Sequence, residues 1–426
     1  MKPPFRLRRH FLAAIVIPIA AIGAAWAAAW KPAIAPTEPP GRAAFTDAGI
    51  ARGAELAALG DCAVCHTEPS GRPYAGGRGV PTPFGMVYAT NITPDPATGI
   101  GRWPLAAFRR AMRDGIDREG RHLYPVLPYP HFIHATDDDI AAMYAFLMTR
   151  RPVHQTTPPN ALTFPFNLRP LLAGWNLLFL KPGVWRPDAA KSPEWNRGAY
   201  LVEAIGHCGA CHTPRNSLGA EQASQTLAGG EAEGWYAPAL RAGTPSPRTW
   251  IADELATYLR TGLDRGHGAA AGPMTAVTRQ LATIPDADVR AMADYVASLM
   301  PPATAADVAS PIVRPVADAP VAAIFAGACG ACHAADAPMT HGGAPSLALS
   351  TAVHAPVARD VVEVILHGLP WREGQAGPYM PGFADALTDA QIATLAAYVR
   401  ARYSDLPAWP NIDATIREAK RQGGGS

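Results

Sequence analysis

All six cysteines of the chain fall in one repeated pattern: Cys62-Ala-Val-Cys65-His66, Cys208-Gly-Ala-Cys211-His212 and Cys329-Gly-Ala-Cys332-His333. Two thiols three residues apart, with a histidine directly behind, can bond the vinyl groups of a porphyrin while the imidazole takes the proximal iron position. This is the attachment pattern of c-type haem. A single match would also serve half a zinc site or a dithiol redox pair. Three matches that consume every cysteine, one per stretch of ordinary domain length, speak against both. The pattern predicts three covalently bound haems c, with His66, His212 and His333 as proximal ligands.

A sixth ligand should come from a loop further on. A glycine follows a helical pattern at Gly115, Gly262 and Gly368, where it suits a left-handed cap. Twelve residues beyond Gly262 stands Met274, and twelve beyond Gly368 stands Met380. Methionine sulfur raises the potential of haem iron relative to histidine, so Met274 and Met380 are expected as axial ligands. The same count from Gly115 reaches Leu127, which cannot coordinate. The first iron is therefore either open or bound by another side chain; His131 is nearest, followed by His134, His122 and Met86. A difference of roughly 0.15 V amounts to about 3.5 kcal/mol for one electron, enough to order haems in a chain. His207, His267, His341, His354 and His367 read as ordinary polar positions.

These residues need helices to place them, and the same elements recur three times. An amphipathic helix precedes each site, at 47–58, 196–205 and 319–326. A closing helix begins at Thr136-Asp137, Pro285-Asp286 and Thr388-Asp389, the last with the capping box Thr388-x-x-Gln391. Ile140, Met143, Phe146 and Leu147 match Val289, Met292, Tyr295 and Val296, then Ile392, Leu395, Tyr398 and Val399. Offsets of three, six and seven make one apolar helix face. Pro238 and Pro345 occupy equivalent loops, where a backbone carbonyl can accept the proximal histidine's N–H; Thr82–Thr93 fills that region of the first repeat without the proline.

The fold expected is mostly α: three tandem class I cytochrome c-like haem domains at 45–152, 191–302 and 318–405. Ahead of them lies a signal-anchor and linker (1–44), with Pro-rich linkers at 153–190 and 303–317 and a C-terminal tail (406–426) ending in a Gly-Gly-Gly-Ser linker. With 39 Gly, 44 Pro and 17% charged residues, each domain has few regular elements and should rely on its porphyrin for a core. A net charge of +2 and no basic stripe exclude a nucleic-acid partner. Lys2, Arg6, Arg8 and Arg9 precede an uncharged run from Phe11 to Trp30, long enough as a helix to span a hydrocarbon core of ~30 Å. An uncleaved transmembrane helix is expected, with the body in the periplasm on the positive-inside rule; Ala25–Ala29 offer the alternative of a cleavage site. The apolar stretch Phe164–Trp185 is too interrupted for a second span. It is either a strap buried between domains or an interfacial helix touching lipid or a partner.

The motifs Thr82-Pro-Phe-Gly85, Tyr88-Ala-Thr-Asn-Ile-Thr-Pro-Asp95, Thr98-Gly-Ile-Gly101 and Leu123-Tyr-Pro125 resemble the triheme cytochrome c subunit of periplasmic, membrane-bound dehydrogenases. The resemblance covers nearly the whole chain. Leu127, Phe164-Pro-Phe-Asn-Leu-Arg169 and Trp175-Asn176 make it more similar to cytochromes paired with molybdopterin hydroxylases, such as aldehyde dehydrogenases, than to those of quinoprotein alcohol dehydrogenases. The resemblance implies a molybdopterin catalytic subunit and a small iron–sulfur subunit as partners. It also implies ubiquinone as acceptor and a place on the periplasmic side of the bacterial inner membrane. The chain would then be an electron-transfer subunit with no bond chemistry of its own. Two other functions compete: a haem peroxidase using the first haem as an open site, and a freestanding electron shuttle, which would need no anchor. No Gly-x-Gly-x-x-Gly motif or nucleophile elbow argues for a substrate pocket.

Overall fold

The computed structural model describes residues 30–302, 313–317, 319–334, 337, 345–369 and 379–423. The expected anchor, Phe11 to Trp30, lies outside these residues but for Trp30. Among the described residues no helix is long and apolar enough to cross a membrane. The chain divides into two compact units: one takes the residues up to Ala57 and Cys65–Trp185, the other Ala58–Val64 and everything from Arg186 on.

Helix α1 (Asp47–Leu59) opens the first unit and leads into the short helix α2 (Cys62–Cys65), the stretch Ala58–Val64 at their junction being counted with the second. Strands β1 (Gly79–Thr82) and β2 (Gly85–Tyr88) pair antiparallel, with Val80 opposite Val87. Helix α3 (Leu105–Asp114) ends at Gly115 in the left-handed conformation (φ 61°), as the glycine predicted. Helix α4 (Tyr129–Phe132) is a single turn, and α5 (Asp137–Met148) starts with Thr136 accepting from the Asp139 N–H at 3.1 Å. Its predicted apolar face is buried: Ile140, Met143, Phe146 and Leu147 all belong to the core. Strand β3 (Ala161–Leu162) adds to β2.

Helix α6 (Leu171–Phe179) follows, and none of its residues is buried. Leu177 and Leu178 are 86% and 71% exposed, so the buried-strap reading of this stretch does not hold. Only one side of α6 docks. Tyr129 donates to Asn176 Oδ1 at 2.6 Å, Asn176 Nδ2 donates to the Asp114 carbonyl at 3.2 Å, and Trp175 meets the Tyr129 ring edge-on.

The second unit opens with helix α7 (Pro193–Tyr200), capped by Ser192 and continued by a π-turn (Leu201–Ile205), then α8 (Gly209–His212). Strands β4 (Gly230–Ala232) and β5 (Trp235–Ala237) form a hairpin. Helix α9 (Ala252–Thr261) ends at Gly262, again left-handed (φ 72°). The pair β6 (Leu263–Asp264) and β7 (Gly268–Ala269), α10 (Pro273–Leu281) and α11 (Asp286–Ser298) complete this repeat.

The third repeat consists of α12 (Ala319–Ala328), α13 (Gly330–His333), α14 (Thr351–His354), α15 (Arg359–His367) and α16 (Asp389–Tyr403). The capping box forms as expected: Thr388 N–H donates to Gln391 Oε1 at 2.9 Å and Gln391 N–H to Thr388 Oγ1 at 3.3 Å. Gly368 has φ 71° but an extended ψ of −168°, so it turns the chain without a left-handed cap. The stretch expected as a tail instead folds. Helix α17 (Ile412–Gly423) buries Ile416 and Ala419, and Trp409 donates to the Ala355 carbonyl at 2.8 Å. The cause is the helical spacing of Ile412, Ile416 and Ala419, which gives α17 an apolar face that water would not tolerate. Within this unit the second and third repeats are stitched together by Tyr236 N–H to Asp360 Oδ1 (2.9 Å) and Thr351 N–H to the His267 carbonyl (3.0 Å).

Candidate haem sites

Each Cys-x-x-Cys-His segment is one helical turn (α2, α8, α13), which puts the two thiols three residues apart on the same side. All six cysteines are half-buried, and none forms a disulfide. Burial, reinforced by the neighbouring thiol, pushes Cys208 up to about 12 and Cys329 up to about 11. Both stay protonated at neutral pH, the opposite of the low-pKa thiolate that a redox dithiol keeps ready.

Two of the histidines expected as proximal ligands are held in an orientation that suits that role. His66 Nδ1 donates to the Thr90 carbonyl at 2.6 Å, and His212 Nδ1 to the Pro238 carbonyl at 2.6 Å. A proton held at Nδ1 leaves Nε2 as the nitrogen with the free lone pair, which is what iron requires. Desolvation lowers the pKa of both rings, against the smaller opposing pull of these hydrogen bonds, and keeps them neutral. The backbone of each is pinned too: Gly76 N–H donates to the His66 carbonyl and Gly229 N–H to the His212 carbonyl, both at 2.8 Å. These residues fit a covalent porphyrin with a histidine ligand. Burial also lowers the pKa of His333, but its Nδ1 has no hydrogen-bond partner among the described residues. The equivalent role expected of Pro345 is therefore not seen.

Thr90, which the sequence did not single out, is held up by the loop around it. Asn91 is buried; its Oδ1 accepts from Thr93 N–H at 2.9 Å and its Nδ2 donates to the Val153 carbonyl at 2.7 Å. Asp95 Oδ1 accepts from Thr98 N–H (2.7 Å) and Thr98 Oγ1 (2.8 Å). A Cβ on Gly99 would sit 2.2 Å from the Thr93 carbonyl, and one on Gly101 2.3 Å from that of Pro94. Asn91, Thr93, Asp95 and Thr98, with the close packing at Gly99 and Gly101, thus brace the loop whose Thr90 carbonyl meets His66.

Two further glycines matter. A Cβ at Gly53 of α1 would lie 2.0 Å from the Ala142 carbonyl of α5, and one at Gly198 of α7 would lie 1.9 Å from the Ala291 carbonyl of α11. These are the points where the first and last helices of the first two repeats touch backbone to backbone. The preceding arginines lock the crossing: Arg52 Nε donates to Asp139 at 3.2 Å, and Arg197 binds Asp288 through Nε (2.8 Å) and Nη2 (2.7 Å). Arg-Gly-Ala at 52–54 and at 197–199 was the available signal. Gly53 precedes Cys62 by nine residues (62 − 53), Gly198 precedes Cys208 by ten (208 − 198), and the π-turn absorbs the extra residue.

The distal candidates are placed as follows. Met274 is half-buried at the start of α10. Met380, also half-buried, bridges to Leu369 through two backbone bonds of 2.8 and 3.1 Å. Leu127, just before α4, and His131, on it, are half-buried. His134 is committed elsewhere, its Nδ1 bonding the Gly183 carbonyl at 2.5 Å. Met86 lies in the β1–β2 ladder. His267 sits in a polar cluster: Nε2 is 3.0 Å from Glu254, Nδ1 2.7 Å from Ser246, and the ring stacks on Trp250. Asp264 lies within reach of the same point, but Arg248 already pairs with Glu254 at 3.0 Å and supplies the positive charge.

Short repeated helices around a Cys-x-x-Cys-His turn, with an imidazole aimed by a backbone carbonyl, define a c-type cytochrome that binds haem covalently. The cytochrome c family profile matches residues 50–151 and 196–300, and that of cytochrome C oxidase, cbb3-type, subunit III matches 317–399. Among curated proteins, the chain is 49% identical over 400 residues to a nicotinate dehydrogenase subunit of Pseudomonas putida, covering 93% of this chain and 34% of that one. It is 36% identical to the fructose dehydrogenase cytochrome subunit of Gluconobacter japonicus, covering 89% of this chain and 84% of that one. The alcohol dehydrogenase (quinone) cytochrome c subunit of Gluconacetobacter polyoxogenes is 35% identical, with 84% and 81% covered. The chain thus spans about a third of its nicotinate dehydrogenase relative and most of the other two. It belongs to the family of cytochrome c subunits of dehydrogenases, and its work is electron transfer.

Proposed function

We propose that the chain carries three haems c and relays electrons from a molybdopterin dehydrogenase, through a small iron–sulfur subunit, to ubiquinone. Its place is the periplasmic face of the bacterial inner membrane, held by the N-terminal segment. The observation that carries this reading is the threefold occurrence of the Cys-x-x-Cys-His turn, one in each region matched by a cytochrome profile. When bound, haem supplies one-electron chemistry at iron. The chain's contribution is to fix the iron's environment. The Nδ1–carbonyl bonds at His66 and His212 set the tautomer, and Met274 and Met380 are the axial ligands proposed for the second and third irons. Leu127 leaves the first without methionine, with His131 as the nearest substitute.

The molybdopterin assignment draws on the 49% identity to the nicotinate dehydrogenase relative together with Leu127. A second reading, the cytochrome of a quinoprotein alcohol dehydrogenase, is favoured by the 81% coverage of that relative. Mild detergent extraction followed by metal analysis separates them. Molybdenum and non-haem iron travelling with the chain support the first; a quinoprotein partner without molybdenum supports the second. Recovery of the chain alone, active as a soluble carrier, would refute both.

A further inference from the structure

Helix α6 turns an apolar face outward. Phe164, Leu168, Leu171, Leu177 and Leu178 are between 45% and 86% exposed, and Leu171 and Leu178, seven residues apart, share one side of the helix. Soluble surfaces seldom carry so many large apolar side chains within so short a segment. Two observations identify what covers it.

The first is position. The strap that follows the N-terminal segment is clamped to the end of α3: Arg110 donates to the Pro32 carbonyl at 2.7 Å, Ile34 N–H to the Arg118 carbonyl at 2.8 Å, and a Cβ on Gly120 would meet the Lys31 carbonyl at 2.0 Å. Asp114, the last residue of α3, feels the charge of Lys31, and its carbonyl accepts from Asn176 of α6. Trp30, where the apolar run 11–30 ends, is exposed and directly precedes this clamp, on the same end of α3 that holds α6. The second is charge. From Ile140 to Pro187 there is no Asp or Glu, while Arg150, Arg151, Arg169, Lys181 and Arg186 lie within it. A segment that joins exposed apolar side chains to cations and holds no carboxylate of its own suits an anionic lipid surface.

We propose that α6 lies in the headgroup boundary of an anionic membrane beside the N-terminal segment, so that the first domain is held at two adjacent points and cannot swing freely. This rests on the membrane reading above and adds a specific surface to it.

A spin label at Leu178→Cys in the full-length, haem-loaded chain tests it; in that protein the native cysteines are thioethers and do not label. In vesicles of phosphatidylcholine and phosphatidylglycerol, collisions with a water-soluble nickel chelate should fall about tenfold relative to the same label at Val357→Cys, as for a site ~5–10 Å into the boundary. Collisions with dissolved oxygen should rise. Omitting phosphatidylglycerol should weaken the protection. If the chain binds vesicles while the label at 178 stays as accessible as at 357, the α6 proposal falls and the anchor reading stands. If the chain does not bind vesicles at all, both fall. Protection that appears only with the catalytic partner, and persists in detergent, assigns the face to a protein interface and overturns the proposal.

Discussion

Replacing Gly198 with alanine should destabilise the second haem domain, although alanine is the better helix former. The added Cβ would stand 1.9 Å from the Ala291 carbonyl oxygen, 2.5 Å from its carbon and 2.9 Å from Tyr295 Cβ. Ordinary contact begins at 3.4 Å, so α7 and α11 must part by about 1.5 Å (3.4 − 1.9) at a point where both present rigid backbone. Overpacking of this kind costs about 1–3 kcal/mol or somewhat more. Stretching the Arg197–Asp288 pair adds to the loss, and helix propensity returns at most about 1 kcal/mol. A net loss of about 2 kcal/mol corresponds to a Tm lower by about 4–8 °C for a unit of this size. Calorimetry of the holoprotein gives the total, and the methionine-to-iron charge-transfer band reports when ligation in the second domain fails. Gly174→Ala in α6, where a Cβ meets nothing within 4 Å, is the control and should be neutral or slightly stabilising. A Gly198→Ala protein that melts within about 1 °C of the parent would refute the backbone crossing and the packing argument built on it.

Four other outcomes follow. Leu127→Met should add a methionine-to-iron signal and raise the potential of one haem, measured by spectroelectrochemistry; an unchanged titration would contradict the ligand assignment. Met274→Leu and Met380→Leu should each remove one such signal, and a variant that keeps its full intensity is not missing a ligand. Asn91→Ala strands the Thr93 N–H and leaves the Val153 carbonyl only its longer bond from Thr93 Oγ1, at about 1–3 kcal/mol for the stranded group, and should loosen His66, seen as a broadened haem spectrum and a lower Tm of the first unit. Burial and the neighbouring Glu363 push the Asp360 carboxyl up to about 7, against the opposing Tyr236 N–H and Arg359. Because the folded state holds this proton more tightly than the unfolded one, stability is greatest below pH ~4 and falls as pH rises to ~7. Asp360→Asn should thus raise Tm by about 2–4 °C at pH 8 and by nothing at pH 4; equal shifts at both would exclude titration as the cause.

Much of this was legible because the chemistry is local. A Cys-x-x-Cys-His turn needs only five consecutive residues, and Thr388-x-x-Gln391 only four, so both could be read directly and both formed. The closing helices carried their periodicity in Ile140, Val289 and Ile392 and their successors, all buried as expected. What escaped was set by distant partners. Thr90 is an unremarkable residue whose carbonyl matters only because Asn91, Asp95, Gly99 and Gly101 fold a loop behind it. Gly53 and Gly198 look like poor helix residues until α5 and α11 arrive against them. Helix α17 follows a short Pro-containing stretch that reads as a tail, although Ile412, Ile416 and Ala419 already mark its buried side. The π-turn at Leu201–Ile205 escaped for the same reason as the glycines, since the one-residue excess is visible only when two repeats are laid on the same crossing.

The number of porphyrins per polypeptide tests the central claim most directly. Pyridine haemochrome quantitation against total protein, with the intact mass measured on the same sample, should give three haems on one chain. Fewer than three, or the mass of the bare polypeptide, would contradict the relay that three tandem sites are proposed to form.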